Sequence, residues 1–265
     1  MAVRDEIREE RKKLKGQGFK AYLEYFWDYY KIHTIAAVVI IIMLISVIKD
    51  VTNNKPYAFY AIMLNSGASM AEDVFEERFA EYAGIDTQHY ECMVDTSASF
   101  DPLVLDQMTV ATSQKIMAVL ASKELDVMAG DIKVMLHYGN QETFLDLRTV
   151  YTDDELKSLE DRLIYVDQAY LDYLNSDEYQ TYLSTGEFDE NNNFAVKADN
   201  YNKTYVYELE SPDAMENPIP VAIRLEGSSI IEETSAYYGQ DAAVAVIINT
   251  QHPDTARQFI EFLLK

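Results

Sequence analysis

The chain has one cysteine, one tryptophan and four histidines in 265 residues, and the shortages remove whole classes of function. Cys92 alone cannot close an internal disulfide, so no bridge staples this fold. Nor does it follow the long apolar segment, where a lipid-attachment cysteine would stand. His33, His89, His137 and His252 are scattered, with no pair at metal-ligand spacing. No metal site is expected. The sequence also lacks G-x-S-x-G, G-x-x-x-x-G-K-[ST], H-E-x-x-H and G-x-G-x-x-G, which carry nucleophilic, phosphate-binding, zinc and dinucleotide chemistry. Neither an enzymatic activity nor a cofactor is therefore expected. Positive charge is scarce too. With 22 Lys and Arg against 45 Asp and Glu, the formal net charge is -23, a field that repels nucleic acid and anionic headgroups. Nucleic acid is excluded as a partner.

What is present is one long apolar run, Ile32 to Ile48, IHTIAAVVIIIMLISVI, without a formally charged side chain. As a helix it spans roughly 25 Å, enough to cross a bilayer with help from its flanks. Phe19, Tyr22, Tyr25, Phe26, Trp27, Tyr29 and Tyr30 precede it as an aromatic belt of the kind found at headgroup depth. The lipid bilayer is thus the expected partner of residues 32–48. Thirty-one residues come before the run and no small-residue cleavage site follows, which argues against a cleaved signal peptide. Lys12, Lys13, Lys15, Lys20 and Lys31 lie on one side, Lys49 and Lys55 on the other. That asymmetry predicts a single-pass protein with a cytoplasmic N-terminus and an extracellular C-terminal domain. Charge divides accordingly: +2 before residue 32 and, from fourteen bases and thirty-nine acids, -25 after residue 48. An exported acidic domain without disulfides fits a bacterium that does not rely on oxidative folding.

The expected division is a cytoplasmic basic and aromatic segment (1–31), the span (32–48), a polar linker KDVTNNKP (49–56) and an α/β domain (57–265). A smaller sub-lobe is expected within it at 150–218. AFYAIMLN (58–65), YECMVDT (90–96) and LDVMAGD (125–131) are apolar runs of strand length. Ser69 and Glu72 form an S-x-x-E capping box before a helix with Phe75, Phe79 and Tyr82 on one face and Gly84 as its stop. Asp101 and Pro102 fit the start of a second helix, carrying Met108, Thr112, Ile116, Val119 and Leu120 toward the core. A short helix is expected around 134–138. This succession predicts a three-layer α/β unit with a mainly parallel sheet and helices on both faces. Thr152 and Glu155 make a second capping box. LIYV reads as a strand, 168–184 as a tyrosine-rich helix, and TYVYELE and IPVAIRLE as strands that would pair antiparallel. A helix near 229–237, a strand AAVAVIINT and a helix opened by Pro253, with Phe259 and Leu263 on one face, close the chain. DENNNFAVKADN (189–200) lacks the central glycine and final glutamate of a calcium loop and reads as a solvated loop.

In an open α/β sheet, ligands bind beyond the carboxyl ends of the strands. Those ends here read N65-S-G-A-S69, D95-T-S-A-S99 and G130-D131. They nominate Ser66, Ser69, Thr96, Ser97 and Asp131 as one wall of a cleft, with Arg224 reaching in from the returning strand. Against an acidic background such a wall suits a zwitterionic, neutral polar or cationic ligand, with Arg224 able to pair a carboxylate. The alternative is that these are ordinary turn and capping residues, and that Arg224 is salt-bridged to a nearby acid.

The order of elements, the phrase KIMAVLASKELDVMAGD and the ending AVAVIINTQHPDTARQFIEFLLK resemble the first lobe and closing segment of bacterial extracellular solute-binding proteins, the periplasmic-binding-protein-like type 2 group. The likeness covers about 58–147 and 219–265. It departs from that pattern in its transmembrane anchor, where those proteins carry a lipidated cysteine, and in a small, strand-poor middle. YLEYFWDYYKIH is also similar to anchored proteins of anaerobic Gram-positive bacteria. The resemblance implies a membrane-tethered extracytoplasmic domain that recognises a small polar solute or a partner protein. The other reading is an accessory subunit of a membrane complex with no small-molecule ligand. Protease added to intact, wall-stripped cells is expected to degrade the chain from about residue 57 onward and spare 1–31. A domain protected until the membrane is opened overturns the orientation.

Overall fold

A computed structural model describes residues 18–53, 55–68, 71–104 and 106–265. Lys12, Lys13, Lys15 and Ser69 lie outside the described residues, as do the side chains of Phe19, Tyr22, Tyr25 and Tyr29. The chain falls into two units, Met1–Lys55 and Pro56–Lys265.

In the first unit, helix α1 (Gly18–Asn53) contains Tyr30–Lys49, a 20-residue stretch long and apolar enough to cross a membrane, none of it buried by protein. Phe26 stacks on Tyr30 with centroids 5.5 Å apart just ahead of it. The helix runs on to Asn53, through most of the segment expected as a linker. Nothing in DVTN breaks a helix, and the first proline is Pro56.

The second unit is a three-layer α/β body. Its strands are β1 (Tyr57–Met63), β2 (Glu91–Asp95), β3 (Val127–Asp131), β4 (Leu163–Asp167), β5 (Pro218–Arg224) and β6 (Ala242–Val246), arranged in one sheet in the order β2-β1-β3-β6-β5-β4. β1 pairs parallel with β2 and β3, while β6 is antiparallel to both β3 and β5, and β4 is antiparallel to β5. The sheet is therefore mixed, not mainly parallel. IPVAIRLE supplies β5 and pairs antiparallel as expected, but its partner is LIYV (β4). TYVYELE forms no strand. Both edges of β5 are already occupied by β4 and β6, so 205–211 cannot pair with it.

The strands are apolar throughout because both faces are covered. Phe59, Ala61 and Met63 face one core with Phe75 and Phe79 of α2 (Glu72–Ala83) and Ala256, Phe259, Ile260 and Leu263 of a C-terminal helix, residues 253–263. Tyr60, Ile62 and Leu64 face the other, with Ile116 of α3 (Gln107–Ser122) and Val134 to Leu136 of α4 (Ile132–Gly139). Phe79 is the hub of the first core, its ring centroid 4.6 Å from Phe59, 4.8 Å from Phe259 and 5.7 Å from Phe262.

Two helix starts move. α2 begins at Glu72 behind Ala71, with no side-chain cap, so Glu72 stands at the first helical position and not the third. α3 begins at Gln107, where the Asp106 carboxylate accepts from the Thr109 N–H at 2.7 Å. Asp101 instead holds a tight turn and pairs with Lys133 at 2.6 Å. The shift turns Thr109 inward and leaves Met108 exposed.

The Thr152–Glu155 box opens α5 (Asp153–Ser158) as expected. The tyrosine-rich helix is two, α6 (Gln168–Leu174) and α7 (Asp177–Thr185), divided where Ser176 caps the second. The expected solvated loop is half helix: Asn192 caps α8 (Asn193–Thr204), which ends at Tyr205 in the left-handed region. α9 (Ser229–Thr234) and α10 (Pro253–Leu263) complete the fold.

One buried carboxylate joins the centre of the sheet to the closing turn. Asp126 is fully buried and accepts from the Tyr60 N–H at 3.0 Å and the Thr250 hydroxyl at 2.5 Å, and His252 Nδ1 lies 3.2 Å away. Burial raises its pKa, outweighing these hydrogen bonds. A raised folded-state pKa adds stability below the unfolded value near 3.8, and that contribution is lost as pH rises through the folded value. Asp126→Ala, which strands two donors, is expected to cost about 3 kcal/mol in urea unfolding at neutral pH, and Asp126→Asn, which keeps an acceptor, clearly less. Wild type should gain on Asp126→Asn as pH falls from 7 to 4. A constant gap would show that the carboxylate does not titrate as its burial demands.

Candidate ligand-binding site

β1, β2, β3 and β5 all run the same way, so their carboxyl ends share one edge of the sheet with the start of β6. Asn65 ties the loops there. Its backbone is left-handed (φ 58°). Its amide donates to the Phe100 carbonyl at 2.7 Å and the Asp131 carboxylate at 2.8 Å, and its side-chain oxygen accepts from the Phe100 N–H and the Ser99 hydroxyl. Four of the nominated residues, Ser66, Thr96, Ser97 and Asp131, serve the same lattice. Ser66 donates to the Thr96 carbonyl and Thr96 to the Ala68 carbonyl, both side chains being buried. Ser97 donates to Asp95, and Asp131 also caps α4 through the Val134 N–H. Burial pushes the Asp95 carboxyl up, but hydrogen bonds from Lys115 and Ser97 outweigh it and hold the group below its ordinary value. Signal for Asn65 lay in its place at a strand end before a glycine-containing turn, where asparagine tolerates the left-handed region.

Arg224 lies two strands from Asp131, about 10 Å, and farther from the residues that follow β1. β3 and β6 separate β1 from β5, about 14 Å at the usual interstrand spacing. Arg224 lines a cavity of about 140 Å³ with Glu226, Ile231, Tyr237, Gln240 and Asp241. It makes no hydrogen bond or ion pair among the described residues, and neither does Arg162, which the β4–β5 register sets beside it. The other three arginines of the domain, Arg78, Arg148 and Arg257, are all paired to acids.

A larger cavity, about 490 Å³, lies against α8 and the irregular segment after it. None of the nominated residues lines it. Its wall includes Phe194, Lys197, Asn200, Tyr201, Tyr207 and Glu208. Tyr201 and Tyr207 stack at 3.8 Å with their planes 15° apart. Lys197 reaches the Glu210 carboxylate at 2.7 Å and sits 4.4 Å above the Tyr170 ring. The side chains of Asn200 and Glu208 have no hydrogen bond or ion pair among the described residues, so both are free to meet a ligand. Burial raises the Tyr201 and Tyr207 pKa values, which keeps both hydroxyls protonated.

The floor of this region is fixed. Tyr170 and Tyr173 of α6 pack with Ala195 and Ala198 of α8 in a small aromatic core of their own. Asp167, buried in the cavity wall, accepts from the N–H groups of Ala169, Glu216 and Asn217. His137 of α4 clips α8 in place, with Nδ1 3.2 Å from the Tyr201 hydroxyl and Nε2 2.8 Å from the Gln141 amide. With the Gln141 amide nitrogen turned to Nε2, a neutral His137 ring holds its proton on Nδ1, facing the Tyr201 hydroxyl. Burial pushes the His137 pKa down to about 4, consistent with that neutral form. The sequence signal was tyrosine density: seven of the twenty tyrosines fall between Tyr170 and Tyr207. Among the described residues, no group of three or more His, Cys, Asp or Glu side chains is placed to hold a metal ion.

These contacts separate structural from free side chains. Asn65→Ala is expected to cost about 2–4 kcal/mol, since it strands the Phe100 N–H and leaves alanine in a left-handed conformation. Arg224→Ala should stay within about 0.5 kcal/mol of wild type in the same urea titration. A large loss at Arg224 would reveal an ion pair that the geometry lacks. The chain matches no known protein-family model, and no curated protein or solved structure shows significant similarity to it.

Proposed function

We propose that this protein is a membrane-tethered extracytoplasmic binding domain, held by the apolar helix within α1, that seats a small polar solute beside α8. The cavity of about 490 Å³ carries the reading. It falls within the roughly 300–1,000 Å³ usual for ligand pockets and combines aromatic walls with a few free polar groups. The rigid parts around it support the same view, because Asp167 and His137 fix its wall before any ligand arrives. The mixed α/β body with a closing strand and helix is compatible with a distant relationship to solute-binding proteins. The N-terminus is placed in the cytoplasm by the lysine asymmetry alone. Arg224 remains the candidate for a carboxylate at the sheet edge, in a second and smaller recess.

One observation favours a protein partner as the second reading. Tyr205, Val206 and Leu209 are exposed on the irregular segment bordering the cavity. The two readings part on the full-length protein in detergent, screened by thermal unfolding against small polar solutes. A solute at one hundred times its Kd adds about 2.7 kcal/mol, worth roughly 5–10 °C for a domain of this size. Tyr207→Ala should lose that shift. If no solute moves the transition and a membrane protein co-purifies through Tyr205 and Leu209, the accessory-subunit reading replaces this one.

A further inference from the structure

We infer that the seat beside α8 takes an organic cation, a small molecule carrying an ammonium group on an apolar body. This deepens the binding reading above and rests on it. The charges of the lining set the sign. Asp167, Glu208 and Glu210 face one base, Lys197. Lys197 is already held by Glu210, so no cation on the wall is left to receive an anion. The Glu208 side chain has no hydrogen bond or ion pair among the described residues. Around this sits a domain whose acids exceed its bases by 26, and a recess in such a surface concentrates cations.

The aromatic groups point the same way. A tyrosine ring face is negative, and an ammonium within about 6 Å of its centroid is attracted, most strongly when both are shielded from water. The structure contains this contact in its own chain, next to the cavity: Lys197 Nζ lies 4.4 Å from the Tyr170 centroid. Tyr201 and Tyr207 offer the same chemistry from the cavity wall, and as neutral phenols they lend ring faces without adding charge that salt would screen. Phe194 and Val206 supply apolar surface for the body of the molecule, and Asn200 a free amide for a hydroxyl or N–H.

Choline and putrescine are the probes, with 3,3-dimethyl-1-butanol as the uncharged isostere of choline and acetate as the anion. Binding is measured by calorimetry on the full-length protein in a non-ionic detergent. At least one of the two cations should bind, and where it is choline, at least tenfold more tightly than the isostere; binding should weaken as salt rises from 20 to 200 mM. Acetate should not bind at this seat. Tyr207→Ala should abolish binding. Glu208→Gln, an exposed and unpartnered position, should weaken it at least threefold and leave the unfolding transition unchanged. Equal affinity for choline and its isostere, both lost in Tyr207→Ala, overturns the cation while the seat survives. Failure of both cations overturns it too. If the screen of polar solutes is then also blank, the binding reading falls with it.

Discussion

Asp126 is the point on which the second unit closes. Its backbone N–H donates to the Tyr60 carbonyl and its carbonyl accepts from Ile247, while its side chain holds Tyr60, Thr250 and the approach of His252. One residue thereby joins β1, the entry to β3, the end of β6 and the turn that launches α10. Its side-chain partners lie 66 to 126 residues away in sequence, so the contacts they share are the costly, long-range ones. A carboxylate is an expensive way to make the joint, because burial penalises its charge. Three groups converge on it, and removing any one leaves another unmatched in the interior. The closing helix can then dock only in one register, which brings Phe259 onto Phe79 and Phe59 and completes the first core.

Burial on both faces of the sheet follows from that closure. Once α10 and α2 cover one side and α3 and α4 the other, alternate residues of β1, β3 and β6 all need apolar side chains. The helices after β4 gain no such support. α6, α7 and α8 meet mainly through Tyr170, Tyr173, Tyr179 and Phe194, a satellite cluster in which the Tyr170 and Tyr173 hydroxyls find no partner among the described residues. Tyrosine in place of leucine makes this cluster less apolar, and it borders the cavity. The main core packs the sheet on both faces, and the satellite brings tyrosine hydroxyls beside the cavity.

This division explains what could be read from the chain. Runs such as AFYAIMLN announce a strand because burial on both faces removes every polar residue, and β1, β2, β3 and β6 fall where the pattern puts them. TYVYELE has strand composition, yet strand composition does not provide a neighbour, and β5 had none to spare. Asp101–Pro102 is a sound helix start locally, but Lys133 recruits the aspartate and Asp106 does the capping. Ser66, Thr96, Ser97 and Asp131 lie at one edge of the sheet, and their side chains are spent on fixing its loops. The α8 cavity was out of reach of pattern reasoning, since its wall joins Asp167 to residues 26 to 47 positions later through a fold of three short helices. Only the accumulation of tyrosines hinted at it.

Charge is the remaining thread. Most pairings of the domain's bases, such as Arg78 with Glu233 and Arg148 with Asp146, lie at the surface, where an ion pair contributes about 0–1 kcal/mol. They cannot offset the mutual repulsion of so many acids, so the excess is carried against stability and not for it. Its physical effects lie outside the fold: it keeps the domain soluble and off anionic surfaces, and it biases which small molecules approach. A bias of that kind changes binding only where a recess lets the field act at short range. The cavity beside α8 provides one, with an unpaired glutamate and two ring faces on its wall. The recess at Arg224 does not reverse that sign, because Glu226 and Asp241 share its lining with the one arginine.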